Sequence, residues 1–326
     1  MKLSEIKLDH KKIYFLIPLS RGDVFISIFF IRWVKETRKT ETVLIIKEEH
    51  AFIAEMLQMP FICADFTHEE VSSLDIELTP EKGKIFLVSS VLHKELPVES
   101  THMLSFYKML FDMPFDAKMD FHFPIPALMP DLVNKIEKIA PLNKIVLFSP
   151  QAITLPALEK KYWECLAEEV KKQGFTVISS VLNEQEAVKG TVYIKLNCEE
   201  ALQLAYHCHA VYALRSGFAD MCFQLGKKLT VVYPSFDAYR IYGMKKLFNR
   251  DDIVEKIVNV EKKEETKFYL LKKIHIASLF KQKDEVCFFI CYLPVIKIKR
   301  QLYRTNFYLF GLPIFSKKIK RTGYLI

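Results

Sequence analysis

Short apolar runs alternate with amphipathic segments along the first part of the chain. The runs favour strands because they are rich in β-branched and aromatic residues, and the amphipathic segments have a helical period. The apolar runs are 13–19, 42–46, 61–63 and 84–90, and the helical segments are 24–36, 48–57 and 101–112. Strands that alternate with helices in this way predict a parallel sheet with crossover helices.

A proline-rich passage, FHFPIPALMPDLVNKIEKIAPLNK, then breaks the alternation, and we interpret residues 126–143 as a linker. The same alternation resumes after it. The apolar runs are 144–149, 175–180, 191–196, 210–214 and 229–234, and the helical segments are 158–172, 198–206 and 218–225. The sequence therefore predicts an α/β fold with two domains, 1–125 and 144–296, followed by a tail, 297–326.

Local signals mark the ends of two helices in the second domain. Gly174 stands where a left-handed residue ends the helix over 158–172. Asn197 precedes the next helix, and Glu200 follows it at the spacing of a capping box. These residues are expected to serve helix formation alone.

The length and the apolar runs limit the class of protein. A chain of 326 residues is long enough for two ordinary domains, each with its own core. No run reaches the roughly 18 to 20 apolar residues that a membrane span needs. The apolar run near the start, IYFLIPL, is followed by SRGD and not by a small-residue cleavage site, so a first strand is expected and not a signal peptide.

Cysteine usage indicates a reducing cytosol. The seven cysteines are scattered, and Cys63, Cys222 and Cys287 lie inside apolar runs, which does not fit a disulfide framework. The HCH and CFFIC segments, 207–209 and 287–291, lack a zinc spacing. We therefore expect no metal site and no cofactor.

The net charge of +8 comes from the end of the chain. The tail contains eight basic residues and no acidic one, and the remaining 39 basic residues equal the 39 acidic ones. Its aromatic residues are Tyr303, Phe307, Tyr308, Phe310 and Phe315. Cations mixed with aromatic residues suit an anionic membrane surface, which is the predicted partner. A solvated tail and a segment packed on the first domain are the alternatives, and nucleic acid is not expected because no nucleic-acid-binding signature occurs.

The stretch RSGFAD places a cation, a hydroxyl and a flexible backbone between the runs AVYAL and MCFQL. This is the junction of a predicted strand and a predicted helix, where unpaired N–H groups and the helix dipole favour an anion. Arg215, Ser216 and Gly217 are therefore candidates for binding phosphate. Asp220 is a candidate cap partner, or a residue that orients Arg215.

Two further loops follow predicted strands. SRGDV supplies Arg21, Gly22 and Asp23 after the first strand, and SPQAIT supplies polar residues after the first strand of the second domain. Those polar residues are Ser149, Gln151 and Thr154. Open α/β sheets bind ligands outside the carboxyl ends of their strands, so an active site is expected in the cleft between the two domains.

Long segments of both domains resemble the heptosyltransferase-type sugar transferases of lipopolysaccharide assembly. The segments are IYFLIPLSRGDVFISIFFIRWVKE, KIVLFSPQAITLPALEKKYWECLAEEVKKQGFTVI and LNCEEALQLAYHCHAVYALRSGFADMCFQLGKKLTVVYPS. The ending YLFGLPIF with SKKIKR is similar to endings of bacterial cell-surface polysaccharide glycosyltransferases. The resemblance implies a GT-B architecture, in which two Rossmann-like domains face a cleft.

The resemblance also implies a division of labour. The first domain binds the acceptor, the second binds a nucleotide-sugar, and no metal is required. Asp23 matches the catalytic base, and Ser216 and Gly217 match the helix start that binds donor phosphate. Arg215 stands where the family has an aspartate, so the donor is not expected to be bound in the same way.

The residue chemistry fits an inverting transfer independently of the resemblance. A carboxylate such as Asp23 can take the proton of the acceptor hydroxyl, which contributes about 10² to 10⁴ in rate. Arg215, with the Ser216 hydroxyl and the Gly217 amide, can stabilise the departing diphosphate. The simpler alternatives are that Asp23 only stabilises its own helix start and that Arg21, a candidate for acceptor binding with Gly22, is solvated.

The predicted function is that of a cytoplasmic, membrane-peripheral glycosyltransferase. It would move a sugar from a nucleotide-sugar donor to a growing lipopolysaccharide, O-antigen or capsule glycan. The alternatives are another GT-B-like enzyme, such as a pyruvyl or phosphosugar transferase, and a noncatalytic membrane- or glycan-binding protein with this fold. Turnover of a nucleotide-sugar distinguishes the enzymes from the binding protein.

Overall fold

The structure is a computed structural model that describes residues 1–73, 79–88 and 101–258, together with six strands between residues 264 and 318. The chain forms two units, Met1–Val258 and Asn259–Ile326. Residues 89 and 90 of the predicted run 84–90 lie outside the described residues, as do Tyr303, Phe310 and residues 319–326 of the predicted tail.

The first part of Met1–Val258 contains a parallel sheet with the strand order β3-β2-β1-β4. Its strands are β1 Ile13–Leu16, β2 Thr42–Ile46, β3 Phe61–Cys63 and β4 Ile85–Leu87. Its helices are α1 Arg21–Arg38, α2 Ala51–Met56, α3 His68–Ser73 and α4 Met103–Leu110. Every residue of β1 and β2 is buried, which explains why these strands are continuous apolar runs in the sequence.

Helix α1 passes through the middle of this unit. All residues from 24 to 31, the segment VFISIFFI, are buried, as expected for a helix that is apolar on every side. Phe25 contacts Phe123 and Phe223, with ring centroids 5.4 and 6.2 Å apart. Helix α1 is therefore fixed by residues from both parts of the unit.

The second part contains a six-stranded parallel sheet with the order β10-β9-β8-β5-β6-β7. Its strands are β5 Ile145–Ser149, β6 Thr176–Ser179, β7 Val192–Tyr193, β8 Ala210–Leu214, β9 Leu229–Tyr233 and β10 Val254–Ile257. The remaining helices are α5 Pro130–Glu137, α6 Lys160–Lys172, α7 Cys198–His207, α8 Gly217–Met221, α9 Phe236–Tyr242 and α10 Met244–Phe248. The predicted α/β fold with two Rossmann-like sheets is confirmed.

The predicted helix ends are also confirmed. Gly174 has a φ of 84° after α6. At the start of α7, the Asn197 side chain accepts a hydrogen bond from the Glu200 amide, and the Glu200 carboxylate accepts one from the Asn197 amide. Inside the predicted linker, α5 begins at Pro130, and its residues Leu132 and Ile136 join the core.

The unit Asn259–Ile326 contains an antiparallel meander, in which each strand pairs with the next along the chain. Its strands are β11 Glu264–Leu270, β12 Ile274–Gln282, β13 Glu285–Ile290, β14 Leu293–Gln301, β15 Arg304–Leu309 and β16 Leu312–Lys318. The segment interpreted as a tail from residue 297 thus starts inside β14. None of the helices in the described part of the chain has the length and hydropathy needed to cross a membrane.

Candidate active site

The candidate loops follow strands at which the order of each sheet reverses. Strand β1 lies between β2 and β4 in the first sheet, and the second sheet reverses between β5 and β8. Ser149 at the end of β5 pairs with Ala213 of β8, so the loops after these two strands start side by side. Such reversals are where open parallel sheets bind ligands. The structure therefore brings the predicted phosphate loops, 149–154 and 215–217, to one edge of one sheet.

The starts of α1 and α8 are in direct contact through two glycines. A Cβ atom added to Gly22 would lie 2.5 Å from the Cα of Gly217, and one added to Gly217 would lie 2.5 Å from the amide nitrogen of Gly22. Both clashes are with backbone, which cannot turn away as a flexible side chain can. The loop after β1 and the loop after β8 are thus joined at a point where only glycine fits.

Gly22→Ala is expected to lower the free energy of unfolding by about 1 to 3 kcal/mol, because the added methyl group forces α1 and α8 apart. Without this clash the same change inside a helix would stabilise the protein by up to about 1 kcal/mol. Urea denaturation therefore tests the contact, because the free energy of unfolding should fall if the clash is present and rise if it is absent. Gly217→Ala fills the same gap from the other side, and the double variant should lose less than the sum of the two. A Gly22→Ala protein more stable than the wild type would contradict the contact.

The carboxylate of Asp23 is held by two hydroxyl groups. Ser20 Oγ donates to Oδ2 at 2.8 Å, and the Tyr107 hydroxyl donates to Oδ1 at 3.0 Å. Asp23 is half-buried and lies in the first turn of α1. Each carboxylate oxygen retains a lone pair, so the group can still accept a proton. The geometry is compatible both with a helix-start role and with a general base.

Tyr107 was not identified from the sequence, although its helix was predicted within 101–112. Its ring is buried in α4 and stacks on Phe30, with centroids 5.2 Å apart. Burial, together with the Asp23 carboxylate, raises the pKa of the Tyr107 hydroxyl well above its usual value. The hydroxyl therefore remains protonated and acts as a donor to Asp23.

Helix α4 makes two further contacts with the second part of the unit. His102 Nδ1 accepts a hydrogen bond from the Leu104 amide, and Nε2 donates to the Gly243 carbonyl, both at 3.1 Å. Burial lowers the pKa of His102 to about 4, so the ring is neutral at physiological pH. One residue further, Met103 Sδ lies 3.4 Å from a guanidinium nitrogen of Arg215. Nothing in the sequence indicates which face of α4 meets α1 and α8.

Arg215 and Asp220 form a buried ion pair. Arg215 Nη1 donates to Asp220 Oδ2 at 2.8 Å, and the two side chains are only 5% and 2% exposed. Arg215 also donates to the carbonyl groups of Tyr242, through Nε at 2.9 Å, and of Ser216, through Nη1 at 3.0 Å. Most of the hydrogen-bonding capacity of the guanidinium is thus used within the protein.

Asp220 lies beside Gly22 and is close enough to Asp23 for the two carboxyl groups to interact electrostatically. Its Oδ2 lies 3.1 Å from the position of a Cβ atom added to Gly22, and its Oδ1 has no hydrogen-bond partner among the described residues. Burial raises the pKa of Asp220 to about 7, Arg215 opposes this rise, and the Asp23 carboxylate adds to it. The candidate base and the buried ion pair therefore share one electrostatic environment.

The remaining candidates for phosphate binding differ in exposure. Ser216 is the N-cap of α8, where its Oγ accepts a hydrogen bond from the Ala219 amide at 3.4 Å. In the loop after β5, Ser149 is buried, Gln151 is half-buried and Thr154 is exposed. Ser216 therefore lies directly before Gly217, where its hydroxyl caps the start of α8.

Arg21 is exposed, and its charge affects the pKa of one residue in each part of the unit. Burial lowers the pKa of His50, which follows β2, and the Arg21 charge contributes to the shift. Burial raises the pKa of Cys198, at the start of α7, and Arg21 opposes that rise. Arg21 therefore lies where a ligand carrying negative charge could be contacted between the two parts.

A surface groove of about 660 Å³ lies elsewhere, between α6 and the end of β10. Its lining includes Tyr162, Cys165 and Lys256 but none of the predicted site residues. Within the described part of the chain, no group of three side chains is arranged to hold a metal ion. The candidate active site therefore lies at the joined loops and not in this groove.

The two-sheet architecture is similar to that of solved sugar transferases. A glycosyl transferase of family 9 from Veillonella parvula matches with a TM-score of 0.50 and 9% identity, over 78% of this chain and 87% of its own. ADP-heptose lipopolysaccharide heptosyltransferase II of E. coli matches with a TM-score of 0.51 and 12% identity, over 75% and 89%. The iron-containing dodecameric glycosyltransferase TibC of enterotoxigenic E. coli matches with a TM-score of 0.51 and 12% identity, over 73% and 64%.

No protein-family model and no curated protein sequence matches this chain. At 9 to 12% identity, the similarity to the solved structures concerns the fold. The predicted resemblance to heptosyltransferases is confirmed at that level. The chain has the GT-B fold of the family 9 glycosyltransferases and heptosyltransferases.

Proposed function

We propose that this protein is a glycosyltransferase that moves a sugar from a nucleotide-sugar donor to a growing lipopolysaccharide, O-antigen or capsule glycan. The observation that carries the proposal is the contact between Gly22 and Gly217, which joins two loops of the kind at which open parallel sheets bind ligands. A carboxylate, Asp23, lies beside this contact. The fold shared with heptosyltransferases supports the same reaction class.

The reaction follows from the positions of the polar groups. Asp23 takes the proton of the acceptor hydroxyl while its oxygen attacks the anomeric carbon of the donor sugar, and the bond from that carbon to the diphosphate breaks with inversion. The Ser216 hydroxyl, the Gly217 amide and the Arg215 cation stabilise the charge on the departing nucleoside diphosphate. Arg215 contacts phosphate through Nη2, because Nε and Nη1 already donate to groups of the protein. These groups let the transfer proceed without a metal.

Other loops contribute to binding. Ser149, Gln151 and Thr154 lie in the loop next to the start of α8, and we assign them to the donor phosphates. Arg21 and Gly22 contact the acceptor, since Arg21 is exposed beside the proposed base. A lipid-linked acceptor requires a location at the cytoplasmic face of the membrane, with the basic C-terminal segment as the attachment.

A thermal-shift screen with UDP-, GDP-, ADP- and CMP-sugars tests the proposal. A ligand at 100 times its dissociation constant stabilises the folded state by about 2.7 kcal/mol, so one class should raise the melting temperature. Slow hydrolysis of the same nucleotide-sugar would then show turnover. Binding without any turnover would support a noncatalytic protein, and no stabilisation by any nucleotide-sugar would contradict the proposal.

Tyr107→Phe is expected to lower turnover about tenfold to a hundredfold, because a hydrogen bond to a charged group contributes about 1.5 to 3 kcal/mol. Tyr14→Phe is the matched control, since that buried hydroxyl accepts from the Asp9 amide at 2.8 Å and contacts no carboxylate in the described residues. Equal turnover in Tyr107→Phe and Tyr14→Phe would show that Tyr107 serves packing alone.

A further inference from the structure

One nitrogen of the Arg215 guanidinium has only a weak hydrogen-bond partner. Nε donates to the Tyr242 carbonyl, and Nη1 donates to the Ser216 carbonyl and to Asp220. Among the described residues, the acceptor for Nη2 is the thioether sulfur of Met103, at 3.4 Å. A thioether is a weak acceptor, whereas the guanidinium is charged and its side chain is only 5% exposed. A buried cation therefore directs one donor group at an acceptor that a stronger one can replace.

Met103 is the first residue of α4, and the contacts around it fix the start of this helix. The adjacent His102 donates to the N-cap carbonyl of α10 at 3.1 Å, and Tyr107, one turn further along, donates to Asp23 at 3.0 Å. The Met103 side chain is half-buried and unbranched, so it can change its rotamer while the helix stays in place. The thioether can therefore leave Arg215 without a movement of α4.

A phosphate group has the chemistry that Nη2 lacks in its present partner. Arg215 directly precedes Ser216 and Gly217, which form the start of α8, the proposed site of the donor diphosphate. A phosphate oxygen is charged and accepts a stronger hydrogen bond from a guanidinium than a neutral acceptor does. A diphosphate at the start of α8 would therefore compete with the thioether for Nη2.

We propose that Met103 sets the affinity for the donor diphosphate, because its thioether occupies Nη2 of Arg215 until a phosphate oxygen replaces it. A contact that the unliganded protein makes and the complex loses reduces the apparent affinity for the ligand. Met103 acts through Arg215 as an internal competitor, and a stronger acceptor at position 103 is a stronger competitor. The inference rests on the proposed transferase function and deepens it by naming a residue that determines donor binding.

The test is calorimetric titration of the full chain with inorganic pyrophosphate, which carries the diphosphate without the nucleoside or the sugar. Met103→Ala removes the thioether and should raise the affinity about twofold to tenfold, the range that one neutral hydrogen bond covers. Met103→Gln supplies an amide carbonyl, a stronger acceptor, and should lower the affinity about tenfold. Opposite signs distinguish competition from packing, because both changes disturb the same packing contacts.

Met109→Ala and Met109→Gln are the matched controls. Met109 is half-buried in the same helix and has no hydrogen bond to Arg215 within the described part of the chain, so both variants should bind pyrophosphate like the wild type. A second control adds Met103→Ala to the double variant Arg215→Met with Asp220→Leu. Without the guanidinium, Met103→Ala should give no gain in affinity.

The melting temperature without ligand establishes that each variant is folded. Met103→Leu keeps the apolar volume but has no acceptor, so it replaces Met103→Ala if the alanine variant is unstable. Equal affinities for pyrophosphate in the variants with and without an acceptor at position 103 would overturn the proposal, as would a wild-type protein that binds no pyrophosphate. Pyrophosphate binding with the expected signs, but no binding of any nucleotide-sugar, would support the role of Met103 and contradict the transferase function. The two failures are therefore distinguishable.

Discussion

Asp23→Asn is expected to lower kcat by about 10² to 10⁴ while the protein stays folded and binds its donor. The amide keeps the shape of the carboxylate but cannot take the proton of an acceptor hydroxyl. Its NH₂ group also cannot accept the hydrogen bond that Ser20 or Tyr107 now donates. Turnover of the nucleotide-sugar identified by thermal shift measures the effect, and calorimetry measures donor affinity.

Asp131→Asn is the matched control for this change. Asp131 lies in the first turn of α5, as Asp23 does in α1, but Asp131 is exposed whereas Asp23 is half-buried. Each substitution removes a helix-start charge that contributes about 0.3 to 1 kcal/mol to stability. Only Asp23→Asn should affect turnover. If both variants turn over normally, Asp23 serves its helix alone and the base is another residue.

Arg215→Ala is expected to lower the free energy of unfolding by about 3 to 5 kcal/mol. The change leaves the buried Asp220 without its partner, so the carboxyl group either remains an uncompensated buried charge or takes up a proton, and both are costly. It also removes the hydrogen bonds to the Tyr242 and Ser216 carbonyl groups. Urea denaturation measures the loss, and donor affinity should fall in the same variant.

Two controls separate the buried pair from a general effect of losing an arginine. Arg240→Ala breaks an exposed pair with Asp237, 3.6 Å apart, and should cost less than about 1 kcal/mol. The double variant Arg215→Met with Asp220→Leu removes both charges and should recover most of the stability, because apolar side chains can replace a buried pair. If the double variant recovers stability and keeps its donor affinity, Arg215 is structural and does not bind phosphate. Equal losses in Arg215→Ala and Arg240→Ala would contradict burial of the pair.

Much of the fold was predictable because fully buried strands and amphipathic helices have distinct sequence patterns. The predicted runs 42–46, 61–63 and 210–214 coincide with β2, β3 and β8. The antiparallel meander was missed, since its lysines favoured the interpretation of a basic tail. Hairpin pairing joins strands through turns that the period of apolar residues does not specify.

The candidate site was predictable only in part. Gly22 and Gly217 were both identified as candidate site residues, but their mutual contact was not, because it joins residues distant in sequence. Arg215 was predicted to face the donor, and the structure buries most of its hydrogen-bonding capacity against Asp220 and Tyr242. Tyr107 carried no signal, since a buried tyrosine in an amphipathic helix is ordinarily a packing residue.

The sequence by itself determined the order of strands and helices and the loops in which polar residues could meet a ligand. These features depend on neighbouring residues, through the periods of 2 and 3.6 and the chemistry of helix starts. The tertiary structure decided which loops touch, which carboxylate receives hydroxyl donors and which cation is withdrawn from solvent. Those outcomes depend on the packing of α1, α4 and α8, and therefore on contacts between residues that lie far apart in the chain.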